Sequence, residues 1–219
     1  MNSWQSLQQQ TARFRSWAAA YPYGEKRSEW ECDYDAWSDL YTAFQSFLEE
    51  NPFDTWSDEQ TGTLLYVLAR DNEMGFSAGL ASKIAKYPRR LLHLAATSLQ
   101  CEEYDAKWQI ARQLGNLHGH ASEAEPLLLS LFQDADEYVR RNALMALGRL
   151  ECSLVEGLVE AAWSRPDEWQ EYQRMGVLDA LYNIRSLQLE KYLARADEDG
   201  RQHLAGYAAK IRSASSSGS

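Results

Sequence analysis

The sequence predicts an all-α fold in which helix pairs stack into a solenoid. Three observations carry this. Apolar residues recur at helical spacing through nearly all of the 219 residues, no stretch sustains the apolar/polar alternation of a half-buried strand, and one ten-residue pattern returns along the second half.

The first helix runs from near Ser3 to Tyr21: Trp4, Leu7, Phe14, Trp17, Ala18 and Tyr21 form one face, and Pro22 stops it. A second begins near Asp33, carries Trp37, Leu40, Tyr41, Phe44, Phe47 and Leu48 as its stripe, and ends before Pro52. A third opens on Ser57 and Gln60, spaced as a capping box requires, and continues through Leu64, Leu65, Val67 and Leu68 to about Arg70. Two more cover Glu73 to Tyr87 and Pro88 to Gln100, the latter with proline in its first turn, where the missing N–H has no helical partner to lose.

Beyond that point the chain repeats itself. The ten residues Trp108 to Leu117 align with Arg141 to Leu150, then with Met175 to Ile184, and more loosely with Gln202 to Ile211, at offsets of 33, 34 and 27 residues. Each unit reads as a short helix, an acid-rich turn and a second helix. Residues Asp134, Asp136, Val139, Arg140, Ala143, Ala146, Leu147 and Gly148 resemble the pattern of a HEAT repeat. The resemblance covers residues 88 to 212 well, whereas 1 to 87 share only the helical pairing. It implies a right-handed alpha-alpha superhelix, a single HEAT-like solenoid over 1–212. Physics agrees on the stacking, because one helix pair cannot bury its apolar face alone and neighbouring pairs must complete the core. Gly115 and Gly148 stand where packed helices approach or end. The run from Ser213 to Ser219 is low-complexity and is expected to be disordered.

Composition bounds the function. A formal charge of −10 repels a phosphate backbone and disfavours nucleic acid as a partner. No window approaches the roughly 18 apolar residues of a membrane span, and Asn2 to Gln10 contain no apolar signal core, so a cytoplasmic protein is expected. Cys32, Cys101 and Cys152 are odd in number and lack metal-type spacing, which reads as buried reduced thiols. His118 and His120 have no carboxylate or cysteine at ligand spacing and read as a surface loop; His93 lies on an apolar helix face and reads as a core residue. No nucleophile elbow, P-loop or zinc-helix motif occurs. No catalytic residue, metal or cofactor is expected.

Three clusters remain as candidate partner contacts. Superposed repeats place Lys107, Arg140, Arg174 and Arg201 at one equivalent position, preceded by Glu103, Asp136 and Asp197 in one row and Glu137, Glu171 and Glu198 in the next, where a helix N-terminus favours acids. Two readings stand: the bases bridge to the adjacent repeat, or they line a ligand-facing groove with Trp108, Arg141, Asn142, Tyr172 and Met175. Arg70, Asp71, Asn72 and Glu73 form either an ordinary turn or a contact loop. The third cluster is acidic: Glu25 to Glu59 contain eleven acids against Lys26 and Arg27, a net of −9. Aromatic residues are interleaved with them. Trp37 and Tyr41 fit the helix stripe, but Trp30 and Trp56 lie outside it and read as interface anchors beside Asp35, Asp39, Glu49 and Glu50. Such a surface suits a basic partner.

The expected function is therefore a non-catalytic module that binds another protein. The acidic, HEAT-like architecture resembles bacterial HEAT-repeat proteins that accompany toxins, which implies an immunity protein neutralising a basic toxin domain. The competing readings are a general adaptor or assembly factor, and HEAT-like enzymes resembling DNA glycosylases, against which the acidity counts, or bilin lyases, for which no chromophore chemistry is visible.

Overall fold

The computed structural model describes residues 2–26, 30–71 and 79–217, and among them there are twelve α-helices and no strand. The chain divides into two compact units, Met1–Ile110 and Ala111–Ser219. No described helix is long and apolar enough to cross a membrane.

In the first unit, α1 (Ser3–Ala20) starts on a capping box between Asn2 and Gln5, and α2 (Trp37–Glu50) packs along it. The second helix starts later than its stripe suggests. Residues Trp30–Asp33 form a 3-10 turn instead, because the Trp37 indole N–H donates 2.7 Å to the Glu31 carbonyl and folds the preceding segment back. The fold-back sets Tyr34 edge-on to Phe14, 5.0 Å between centroids, and Phe14 also meets Trp17, Trp37 and Tyr66. This aromatic cluster is a large part of the unit's core, since each such ring buries much apolar area. Helix α3 (Asp58–Arg70) begins on the expected Ser57–Gln60 capping box. Helix α4 (Leu80–Ala85) is shorter than the expected Glu73 to Tyr87, of which residues 73–78 lie outside the described residues. Helix α5 (Pro88–Ser98) follows with proline at its start, and α6 (Tyr104–Leu114) carries the boundary between the units. His93 on α5 is half-buried against Phe53 and Trp56, each 5.7 Å away, rather than in the core proper.

The second unit contains the pairs α7 (Ala121–Leu131) with α8 (Glu137–Arg149), α9 (Val155–Ser164) with α10 (Gln170–Asn183), and α11 (Leu189–Asp199) with α12 (Gln202–Ser217). The second helices stack side by side: α10 lies between α8 and α12. Their repeat is exact in its turns. Helices α8 and α10 end on Glu151 and Arg185, 34 residues apart, both left-handed at φ 55° and 53°. In each, a six-to-one hydrogen bond of 3.0 Å closes the helix, Cys152 N to Leu147 O and Ser186 N to Leu181 O. The glycines mark close approach. A Cβ on Gly115 would lie 2.8 Å from Ala146 Cα, and one on Gly148 would lie 2.6 Å from Ala180 Cα.

Helix α12 continues to Ser217 and so includes part of the run assigned to a disordered tail; the Ser213 hydroxyl donates to the Ala209 carbonyl, a local bond that lets serine stay helical. The thiols differ from expectation: Cys152 is buried, Cys101 is half-buried and Cys32 is exposed, because the 3-10 turn that holds it faces solvent. All three are free.

Candidate functional site

The basic ladder turns out to bind the protein's own backbone and acids. Arg140, on the first turn of α8, has a side chain only 6% exposed; it donates to the carbonyls of Asp134 and Ala135 in its own repeat and, 2.6 Å away, to Asp167 of the next. Arg174 does the same one repeat later, donating 3.1 Å to the Trp163 carbonyl and pairing with Asp199. Arg201 also pairs with Asp199, at 2.6 Å. Each arginine thus ties its own turn to the acid of the following turn, and this is the bridging reading of the ladder. In the first unit Arg70, the last residue of α3, likewise pairs with Glu103. Lys107 is buried with its ammonium 5.3 Å from the Tyr104 ring.

The acids follow the same logic. Asp136 caps α8 by accepting from Val139 N at 3.0 Å, and Glu171 accepts from the N–H groups of His203 and Leu204 at 2.8 and 3.0 Å, capping α12 from the repeat before it. Asp199, held by two guanidinium groups, is lowered to about 2; the Arg201 hydrogen bonds are the main cause.

The suspected contact loop divides. Asn72 and Glu73 lie outside the described residues. Asp71 is buried, accepting from the Tyr41 hydroxyl and from Leu80 N at 2.5 Å; it ties α2 and the start of α4 to the end of α3, and its carboxylate is turned away from solvent.

What stays on the surface forms two patches, one in each unit. In the first, Asp35, Asp39, Glu49, Glu50, Asp54, Asp58 and Glu59 are all exposed. Among the described acids between Glu25 and Glu59, Asp39 alone has an ion pair, with Arg13 at 3.2 Å across two exposed side chains. Trp30 and Trp56 are not free-standing anchors. Trp30 stacks on Trp17 at 5.4 Å with 8° between planes, and Trp56 packs on Phe47 while donating 3.3 Å to the Asn51 carbonyl. The exposed ring in this region is Tyr23, 92% accessible, which sequence reasoning missed; its place between Pro22 and Gly24, in a turn with no stripe to bury it, was the available signal.

In the second unit the exposed strip joins the starts of α8, α10 and α12. The Arg141 guanidinium lies 4.7 Å from the Tyr138 ring and 5.4 Å from the Tyr172 ring, and is held by Glu137 at 2.9 Å. Tyr172 stacks on His203 at 5.9 Å, and Trp169, 54% exposed, sits 6.0 Å from Tyr172. Arg141, Tyr172 and Met175 of the expected groove are therefore partly accessible. Asn142 is not: it is buried with its amide donating 2.8 Å to the Tyr138 carbonyl. Trp108 is half-buried on α6 in the first unit, donating 3.0 Å to Asp105. Tyr138 and Tyr172, 34 residues apart, occupy one repeat position, so the alignment itself could have flagged Tyr138.

Among the described residues no group of three or more His, Cys, Asp or Glu residues is placed to hold a metal ion. Residues 91–173, from α5 to the beginning of α10, match the family model of HEAT repeats. No curated protein matches the chain.

Proposed function

Because this is a HEAT-repeat protein, and such repeats are a scaffold for protein interaction, we propose that it is a non-catalytic inhibitor that captures a basic protein on the acidic surface of its first unit, with a bacterial toxin domain as the partner class. One observation carries the reading. Seven exposed carboxylates crowd Asp35 to Glu59, and among the described residues only Asp39 is met by a cation of the chain itself. Charges that stabilised the fold would be paired internally, as those beside Arg140 and Arg174 are. Unpaired, they leave a negative field that attracts a basic surface and speeds its encounter.

The test is charge reversal. Converting Asp35, Asp39, Glu49 and Glu50 to Lys leaves the buried stripe of α2 intact, so melting should change little. Association with a basic toxin domain should slow by about ten-fold or more at low ionic strength, and the deficit should shrink as salt screens the wild-type advantage. In cells co-expressing the toxin, wild-type protein should preserve growth and the reversed protein should not. Equal association rates at every salt concentration would remove the acidic surface from the account.

A further inference from the structure

The second unit contains a cavity of about 70 Å³ bounded by the end of α7, the first turns of α8 and the end of α9. A water molecule takes up about 30 Å³ of the liquid, so the space suits one planar carboxyl group and little more. One side is apolar, from Phe132, Leu144 and Ala161; the other presents Arg140, Arg141 and Arg165.

Two features of these arginines point to an anion. Arg140 is buried, and both terminal nitrogens of its guanidinium are engaged by Asp134, Ala135, Asp167 and Gln173, yet its Nε–H has no hydrogen-bond partner. Buried N–H groups are nearly always paired, and an orphan on a cation is the rarer and costlier case. The charges are also unequal. Asp167 offsets Arg140 at 2.6 Å and Glu137 offsets Arg141 at 2.9 Å, whereas Arg165 has no ion pair among the described residues. The lining therefore carries one uncompensated positive charge, next to a donor with nothing to donate to.

We propose that this cavity is a binding site for a single carboxylate, supplied by an aspartate or glutamate side chain of the partner protein. One oxygen accepts the Arg140 Nε–H, the Arg165 guanidinium supplies the balancing charge, and the methylene of the acid lies against Phe132, Leu144 and Ala161. A phosphate fits this lining less well, since it is tetrahedral, larger and close to doubly charged, while the surplus here is one. Only the source of the carboxylate rests on the protein-binding reading; the site does not use the acidic surface of the first unit, so either test can fail without the other.

The experiment uses the full chain with ¹⁵N-labelled arginine and follows the Arg140 Nε–H resonance as N-acetylglutamate N-methylamide is added, with the glutamine analogue, sodium chloride and inorganic phosphate as controls at matched ionic strength. The capped glutamate should shift the resonance saturably, with half-saturation at about 1 to 10 mM, as expected for one charge-assisted contact. Arg165→Gln should weaken this by about three- to ten-fold with melting unchanged, because the side chain it replaces has no ion pair to lose. The glutamine analogue and chloride should give no saturable shift. The proposal fails if no saturation is seen by about 50 mM, if chloride or the glutamine analogue reproduces the shift, if phosphate binds more tightly, or if Arg165→Gln leaves the affinity unchanged.

Discussion

Two glycine-to-alanine substitutions in the second unit should change stability in opposite directions. At Gly148 in α8 an added Cβ would stand 2.6 Å from the Ala180 Cα, 3.0 Å from its carbonyl oxygen and 3.1 Å from its Cβ. Carbon atoms in contact prefer about 3.5 to 4.0 Å, so α8 and α10 must part by roughly 1 Å. The obstacle is mostly backbone and cannot rotate aside. Overpacking of this kind costs about 1 to 3 kcal/mol, and the better helix propensity of alanine returns about 1 kcal/mol. With so short a contact the upper part of the range applies, leaving a net loss of about 1 to 2 kcal/mol, or about 2 to 8 °C in Tm for a chain of this length. Gly206 in α12 is exposed and would meet nothing within 4 Å, so Gly206→Ala should gain about 0.5 to 1 kcal/mol. Thermal and urea unfolding followed by circular dichroism measures both. A Gly148→Ala protein that melts at or above wild type would refute the close approach of α8 and α10.

Two further outcomes follow from the second unit. Leu147, fully buried on α8, should cost about 2 to 5 kcal/mol when replaced by alanine; a loss below about 0.5 kcal/mol in urea unfolding would mean that the side chain is not in the core. Asp199 gives a pH dependence: its carboxyl is depressed to about 2, below its ordinary value, so its contribution is complete above about pH 4 and is lost as the pH falls toward 2. Allowing for the partly exposed Arg201 partner, the contribution is about 1 to 2 kcal/mol. Asp199→Asn should therefore be less stable than wild type at pH 7 and equal to it near pH 2, and parallel stability curves across that window would show the carboxylate to be unimportant.

The helices, the stacking and the repeat were legible in the sequence because they depend on periodicity. An apolar residue every three or four positions fixes which face is buried whatever lies opposite, and the recurrence from Trp108 to Ile184 fixes what lies opposite, namely the same face one repeat on. The capping box at Ser57 and the role of Gly148 were readable for the same reason, since both are local or repeated. The partners of polar side chains were not. The sequence placed Arg140 and Arg174 at one position but left open whether they reach out or across, and only the packing of successive turns brings Asp167 and Asp199 to them and buries the first almost completely. Asp71 looked like part of a contact loop until the fold turned it toward Tyr41 and Leu80. Trp30 looked unassigned until the fold-back at Trp37 laid it on Trp17. Charge shows the same division: the sequence fixes that the segment from Glu25 to Glu59 carries a net −9, while the tertiary structure decides that its described acids, Asp39 apart, find no cation within the chain. Composition sets how much charge there is, and distance in three dimensions alone sets what neutralises it.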